Sequence, residues 1–365
     1  MRRPAISRLG VLAAVVTVLA VPFGSQAMAS GSSHGPTVKV LSTKPIFPFQ
    51  LAAANGGVLI ADGGTSTVTR LFTNTVVAHG PQPGEIAGVA VDAKTNVMAY
   101  TSTDYSTGAT ALTIKPHSAK PVVASLSSFE KTNNPDQHVF YGVRNPSQCV
   151  KDALGAMGAP VSYRGQVDSH PYSVTSLGGG SWAVADAAGN DIVKVDAKGH
   201  VSVIAVLPAQ PHTITAGEAS ALGLPHCVVG VTYRFEAVPT DVEVGPNGML
   251  YVSTLPGGPE GPALGARGSV YVVNPWTGAS HRIATGFLGA TNVAVSPGGT
   301  VYVAELFGGQ ISVVRHGSVK KLVSLPGALS VEWASRGMLY ASTIAPTDDN
   351  GNPTGTGSVV RITLS

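Results

Sequence analysis

Three polar residues stand near the start of similar sequence phrases, and their types suit ligand or metal binding. Tyr172, Asp241 and Asn292 each begin a short run in which apolar and polar residues alternate. A carboxylate and an amide oxygen that converge are ligands that Ca²⁺ prefers, and Mg²⁺ also binds carboxylates. The same side chains would equally suit the wall of a water-filled channel. The sequence leaves both interpretations open.

A second set of acidic residues recurs at equivalent positions of the same phrases. Asp62, Asp186 and Glu305 close the runs IAD, VAD and VAE. A ring of carboxylates could hold a cation or orient a ligand, but short acids also accept backbone amides in turns. A binding site needs such an acid only once, whereas a structural motif needs it in every copy of the repeat. The repetition therefore favours a structural role.

Two of the ten histidines lie at the edges of long segments between these phrases, namely His170 and His226. They are candidates for a ligand-binding mouth, although a single histidine in a loop more often makes a structural hydrogen bond. The sequence contains no HExxH or Walker motif, and it does not assign a catalytic residue.

The only two cysteines, Cys149 and Cys227, lie in two different long segments. Their spacing does not resemble a CxxC redox or zinc site. In an exported protein an even cysteine count favours a disulfide. We therefore expect Cys149 and Cys227 to be bonded, with a pair of buried thiols as the alternative.

An internal repeat positions all of these residues. The phrase TDVEVGPNGMLYVSTLPG at 240–257 returns, with variations, at 49–64, 87–104, 172–189, 291–308 and 329–346. Each copy joins two strand-like runs through a glycine-containing turn, and two further runs generally follow it. Four short strands per repeat at a period near 40 residues are typical of propeller blades. The sequence predicts an all-β fold, a six-bladed β-propeller with four antiparallel strands per blade.

The ends of the chain predict how the propeller closes. The sixth copy supplies three strands and a spare strand precedes the first copy. We expect the N-terminal strand to complete the sixth blade, because this pairing removes exposed edges.

Four long segments map to one face of the predicted propeller. They are insertions at about 127–169 and 209–238, and loops at 256–268 and 346–357. Insertions grouped on one face of a repeat protein mark a binding face. Within them, residues 147–157 have helical spacing, and Thr215 with Glu218 fits a capping box.

The N-terminus has the features of a signal peptide at 1–29. Arg2, Arg3 and Arg8 precede an apolar run of about fifteen residues and a small-x-small site, and the run is short for a membrane span. The remaining chain, 30–365, carries 20 basic and 20 acidic residues and is predicted to be one domain. A neutral balance argues against nucleic acid as a partner. We expect a secreted or envelope-located monomer without a membrane span.

The run VPTDVEVGPNGMLYVSTLPGGPEGPALGARGSVYVVNPWTG at 238–278 resembles the ScyD/ScyE family of bacterial exported propellers, as does the segment at 184–208. This resemblance implies a secreted propeller and no particular reaction. More distantly, the phrase is similar to NHL-repeat, gluconolactonase-like and virginiamycin B lyase-like propellers. Those enzymes place a divalent cation on the channel axis. Asp241 and Asn292 match such ligands in type, whereas Gln50 stands where the pattern has an acid.

Three hypotheses about function follow. The first is a non-enzymatic binding or scaffold protein that uses its insertion-bearing face to bind a small molecule or an extracellular protein. The alternative is a lactonase or lyase that depends on Ca²⁺ or Mg²⁺ held by Asp241 and Asn292. The third is a purely structural envelope protein. The sequence establishes no cofactor.

Overall fold

A computed structural model describes residues 35–55, 57–315 and 317–364, and the predicted signal peptide at 1–29 lies outside them. About half of the described chain is β-strand, arranged in antiparallel sheets of four or five strands. The strands are short and rich in Val, Ile and Thr, which pack well on a pleated surface. This architecture agrees with the all-β propeller class predicted from the sequence.

The first half of the chain forms three sheets, which we number 1 to 3 in chain order, after the strand β1 (Thr37–Ser42). Sheet 1 contains β2 (Pro48–Ala54), β3 (Gly57–Asp62), β4 (Thr67–Arg70) and β5 (Val76–His79). Sheet 2 contains β6 (Gly84–Glu85), β7 (Val89–Val91), β8 (Met98–Asp104), β9 (Ala109–Lys115) and β10 (Val122–Ser125). The first insertion then contributes α1 (Leu126–Asn133), β11 (Phe140–Gly142), α2 (Gln148–Ala156) and β12 (Ser162–Arg164). Sheet 3 contains β13 (Pro171–Gly178), β14 (Ser181–Asp186), β15 (Asp191–Val195) and β16 (Val201–Val206).

The second half begins with the second insertion, which contributes β17 (Gln210–Thr213), α3 (Ala216–Ala221) and β18 (Thr232–Phe235). Sheet 4 contains β19 (Pro239–Val244), β20 (Leu250–Thr254), β21 (Gly268–Val273) and β22 (Ser280–Phe287). Sheet 5 contains β23 (Ala290–Val295), β24 (Val301–Glu305), β25 (Gln310–Arg315) and β26 (Ser318–Ser324). Sheet 6 contains β27 (Ala328–Ser335), β28 (Met338–Thr343), β29 (Ser358–Thr363) and β1 from the other end of the chain.

Neighbouring sheets pack face to face along a closed series of contacts. The strands β2, β7, β13, β19, β23 and β27 contact one another in turn, and β27 also contacts β2. An apolar cluster lies between each pair of sheets. Leu250 and Ile192 belong to the cluster between sheets 3 and 4, and Leu51 and Val359 to the one between sheets 6 and 1. Burial of these clusters is the main force that holds the sheets together.

The two insertions fold together into a separate unit, which we call the insertion module (residues 127–169 and 209–238). Its strands form one antiparallel sheet in the order β12-β11-β18-β17, so each insertion contributes two strands. Tyr233, Phe235 and Val150 are among the residues of its small apolar core. The predicted disulfide between Cys149 and Cys227 is confirmed and joins the two insertions across 78 residues.

The helices of the insertion module begin at residues that favour helix starts. Ser147 accepts a hydrogen bond from the Val150 amide at the start of α2. Thr215 and Glu218 form the capping box of α3 that the sequence predicts. These short helices need tertiary packing to be stable, because isolated helices of this length are marginal in water.

Candidate functional site

Asp241 and Asn292 lie where the innermost strands approach one another, and both are buried. Asp241 Oδ2 accepts the Val293 amide at 2.9 Å, and Asn292 Oδ1 accepts the Val331 amide at 2.8 Å. Each side chain therefore links its own sheet to the next one. Gln50 Nε2 donates to the second carboxylate oxygen, Oδ1 of Asp241, at 3.2 Å.

Gln50 occupies the equivalent position in sheet 1 and spans two neighbouring sheets. Its Oε1 accepts the amides of Val89 in sheet 2 and Val174 in sheet 3, at 2.9 and 3.2 Å. Beside this contact, sheets 2 and 3 approach closely at Gly88, where a Cβ would lie 2.9 Å from Cα of Ser173. Gln50, which stands where the lactonase pattern has an acid, thus makes structural hydrogen bonds to sheets 2 and 3.

These contacts bear on whether the predicted metal ligands fit a cation. Both carboxylate oxygens of Asp241 and the amide oxygen of Asn292 already accept hydrogen bonds from protein donors. A cation bound to these oxygens would weaken the hydrogen bonds that link neighbouring sheets, which is costly. Burial raises the pKa of Asp241 to about 7, against the hydrogen bonds that lower it. The arrangement does not fit a divalent cation, and we derive no chemistry through one.

Two further carboxyls lie on inner strands, Glu243 on β19 two residues after Asp241 and Glu332 on β27, and both are partly exposed. Glu332 Oε1 accepts the Ala53 amide at 3.0 Å, and Thr175 donates its hydroxyl to Glu243 at 3.3 Å. Burial raises the pKa of Glu332 to about 8, and burial with repulsion from Glu332 raises the pKa of Glu243 well above its usual range. Protonation therefore reduces the electrostatic repulsion between Glu243 and Glu332.

The repeated acids Asp62, Asp186 and Glu305 are buried and accept hydrogen bonds from the segment that leads into their sheet. Asp62 accepts the amides of residues 46 and 47, Asp186 that of residue 170, and Glu305 that of residue 288. Asp62 and Asp186 also accept the amides of Gly64 and Gly189 in the turns that follow them. Hydrogen bonds of this kind, from backbone amides to a buried carboxylate, are typical of a structural role.

His170 and Tyr172 lie together at the entry to sheet 3, whereas His226 is exposed at the start of a 3₁₀ turn. The His170 imidazole pairs with the carboxylate of Glu85, and its ring lies 5.8 Å from that of Tyr172. The Tyr172 ring packs 5.1 Å from Phe49. Of the predicted candidates, the structure brings His170 and Tyr172 together and leaves His226 apart.

A cavity of about 820 Å³ lies between the insertion module and the ends of sheets 3, 4 and 5. Its walls are mostly apolar, with Leu154, Leu222 and Leu224 on the side of the insertion module. Tyr172, Thr240 and Thr291 line the opposite side. A concave, mainly apolar cavity with a few polar groups is the usual form of a small-molecule site.

The polar groups of this cavity include three carboxyls, those of Asp168, Glu236 and Glu260. Burial raises the pKa of Glu236 to about 7, although a hydrogen bond with the Tyr163 hydroxyl lowers it. Burial alone raises the pKa of Glu260 to about 7. A carboxyl that titrates near neutrality inside an apolar cavity can both donate and accept a proton.

Sequence reasoning missed these residues, because an isolated glutamate between apolar neighbours carries no motif. Glu236 stands in the run RFEAVP and Glu260 in PGGPEGP. An acid inside an apolar run is a weak sign of a buried carboxyl, and that was the only signal available. The cavity itself forms only when both insertions fold over the sheets.

A cluster of carboxyls is buried where the insertion module meets sheet 3. Its members are Glu130, Asp136, Asp186 and Asp191. Asp136 Oδ2 accepts hydrogen bonds from the Tyr141 hydroxyl and the Asn190 amide, at 3.0 and 3.1 Å. Burial raises the pKa of Glu130 to about 8 and that of Asp191 well above its usual range, and their repulsion by neighbouring carboxylates adds to both shifts.

Across 35–55, 57–315 and 317–364, no three or more His, Cys, Asp or Glu side chains are grouped so as to hold a metal ion. In the same part of the chain, no helix has the length and apolar character needed to cross a membrane.

Similar solved structures share the fold. A putative oxidoreductase (glucose dehydrogenase) from Thermus thermophilus has a TM-score of 0.52 at 15% identity, covering 90% of this chain and 100% of that one. A gluconolactonase from Xanthomonas campestris has a TM-score of 0.51 at 11% identity, covering 90% of each chain. The PQQ-bound aldose sugar dehydrogenase from Streptomyces coelicolor has a TM-score of 0.50 at 13% identity, covering 91% of this chain and 99% of that one.

These similarities show a propeller fold and nothing finer. No protein-family model and no curated protein matches the chain. The named neighbours are mostly enzymes, and one of them binds PQQ. Because identities of 15% or less show the fold alone, they assign neither a ligand nor an activity to this chain.

Proposed function

We propose that this chain is an exported six-bladed propeller whose cavity beneath the insertion module binds a small molecule. Five sheets of consecutive strands and a sixth that joins β27, β28 and β29 to β1 support the blade count, and the pairing of β1 with β29 supports closure by the N-terminal strand. The disulfide is the kind of bond that an oxidising compartment allows. Membership of the ScyD/ScyE family, the cleavage of residues 1–29 and a single domain over 30–365 belong to the same proposal.

The observation that carries the binding function is the cavity itself. It has the volume of a drug-sized ligand site, and its apolar walls come from both the insertion module and the sheets. The insertion module is held together by its own apolar core and disulfide. A long insertion that builds a defined cavity is better explained by a ligand than by drift in surface loops.

A second candidate is an enzyme that uses this cavity for acid–base chemistry. The supporting observation is that Glu236, hydrogen-bonded to Tyr163, and Glu260 both have pKa values of about 7. Such groups could move a proton in an elimination or in the opening of a lactone, and general acid–base catalysis contributes about 10²–10⁴-fold. This version needs no metal at Asp241 and Asn292, whose oxygens already bind amides.

A ligand screen with matched variants tests the binding function. Ala159 lines the cavity just after α2, whereas Ala156 at the end of that helix is exposed and does not line it. We expect some compounds of a small-molecule library to raise the melting temperature of the wild type and of Ala156→Trp, but not of Ala159→Trp. Compounds that stabilise both variants equally would show that the cavity is not the site.

The same compounds separate binding from catalysis. Each is incubated with wild type and with Glu236→Gln, and products are sought by mass spectrometry. A product whose rate falls about 100-fold in Glu236→Gln would support acid–base catalysis. Binding without any product would support a binding protein.

A further inference from the structure

We propose that the cavity beneath the insertion module takes a cationic apolar molecule, such as a hydrophobic amine or a quaternary ammonium compound. This inference rests on the proposed function, because it names the ligand class of the same cavity. It is carried by the charges and surfaces that line the cavity.

The charged groups of the lining all have one sign. Asp168, Glu236 and Glu260 are acidic, and none of the described residues that line the cavity is Lys, Arg or His. An anionic ligand would therefore meet repulsion and no basic side chain. A cation would meet carboxylates in an apolar surrounding, where the attraction between charges is stronger than in water.

The remaining surface suits the body of such a molecule. Apolar side chains dominate the lining, and Tyr163, Tyr172, Tyr233 and Phe235 add aromatic rings to it. The rings of Tyr233 and Phe235 pack against each other, with their centroids 4.5 Å apart. Ammonium groups bind well to aromatic faces, and this attraction is used to recognise quaternary ammonium ligands.

Arg267 is a basic residue close to the cavity, but its guanidinium already contacts other groups of the protein. Arg267 places its guanidinium 4.4 Å from the centre of the Phe235 ring. It also donates hydrogen bonds to the carbonyls of Gly257 and Pro259, at 3.1 and 3.3 Å. Arg267 thus shapes the loop that carries Glu260 and is not among the lining residues.

Protonation supports the same conclusion. Burial raises the pKa of Glu236 and of Glu260 to about 7, and no cation of the described chain counters that rise. A bound cation would favour the ionised forms and would release protons. Cation affinity is therefore expected to rise between about pH 6 and pH 8, as these carboxyls ionise.

The test uses three probes of similar size and isothermal titration calorimetry at about pH 8. They are benzyltriethylammonium as the cation, N,N-diethyl-2-phenylacetamide as the neutral compound, and 4-butylbenzenesulfonate as the anion. We expect the cation to bind about tenfold more tightly than the neutral compound, the anion to bind most weakly, and cation affinity to fall several-fold at about pH 6.

Variants show whether the carboxyls cause the preference. Glu236→Gln and Glu260→Gln are each expected to weaken cation binding about fivefold while leaving the neutral probe unchanged. Asp152→Asn makes the same chemical change on the exposed side of α2 and should alter neither. Because each glutamate is tested separately and checked by thermal melting, one variant that fails to fold does not remove the test.

Two results would overturn the ligand class. Equal binding of cation and neutral compound, with loss of both in Ala159→Trp, would leave the cavity as a binding site and remove the preference for charge. Failure of the cation to bind, or tighter binding of the anion, would also remove it. The proposed function fails separately, if no library compound gives a stabilisation that Ala159→Trp abolishes.

Discussion

The inner strands and the boundary between the insertion module and sheet 3 differ in how their buried polar groups are paired. On the inner strands, Asp241 and Asn292 hold backbone amides of the next sheet, and the oxygens named in these contacts are paired. At the boundary, Glu130 Oε1 of the insertion module and Asp191 Oδ2 of sheet 3 have no hydrogen-bond partner among the described residues. Paired buried groups add rigidity, whereas unpaired carboxyls cost stability. The comparison indicates that the contacts of Asp241 and Asn292 stiffen the sheets, and that the boundary is a weaker point where the insertion module joins them.

The largest expected effect concerns the bond that holds the insertion module together. Replacing both Cys149 and Cys227 by serine removes a crosslink across 78 residues, and the chain-entropy account predicts a loss of about 4 kcal/mol in the free energy of unfolding. Urea unfolding of the double variant beside the oxidised wild type measures it. An unchanged midpoint would mean that the module is held by its apolar core alone.

The next largest effect tests the hydrogen bonds by which Asp241 links the inner strands. Asp241→Ala leaves the Val293 amide and the Gln50 side chain without their partner, which is expected to cost about 3 kcal/mol of stability in urea unfolding. Asp241→Asn keeps an oxygen for the amide and should cost less. Equal losses in the two variants would mean that the hydrogen bond to the amide contributes little.

Metal analysis of the same proteins sharpens this test. The hydrogen bonds of Asp241 and Asn292 predict that Ca²⁺ does not raise the melting temperature of the wild type. A stoichiometric cation that disappears in the Asp241→Ala/Asn292→Ala double variant would contradict the structural role and would favour a metal-dependent enzyme.

The smallest of the three effects is a pH dependence located in the insertion module. The Glu130 carboxyl has a pKa of about 8 in the folded protein, above its usual range, because it is buried near Asp136, Asp168 and Asp186. The folded state therefore holds a proton that the unfolded state releases. This contribution is present at about pH 4 and is lost as the pH rises through about 8.

Glu130→Gln measures this contribution. The wild type should lose about 2 kcal/mol of stability between about pH 5 and pH 8 through this group, and the variant should lose less. Melting temperatures at a series of pH values test the difference, with Asp152→Asn as the surface control. Parallel plots of melting temperature against pH for wild type and Glu130→Gln would show that protonation of Glu130 does not contribute to stability.

The repeated phrases contained enough information to predict the propeller. Alternating residues with a glycine turn specify a hairpin locally, and repeated copies require similar sheets. The cysteines likewise predicted their bond, because only one pairing was available. The cavity was harder to predict, since its walls come from segments far apart in the chain and its carboxyls follow no motif. Residue type alone also suggested ligands at Asp241 and Asn292, because it cannot tell whether an oxygen is already used.

The sequence by itself therefore determined the all-β propeller class, the repeat and the disulfide. These properties follow from local chain preferences and from periodicity, which a single sequence displays. Only the tertiary structure decided which polar groups are paired and which face an apolar cavity. Burial and hydrogen bonding depend on atoms that come together from distant parts of the chain, so the same carboxyl type is a structural link at Asp241 and a candidate ligand anchor at Glu236 and Glu260.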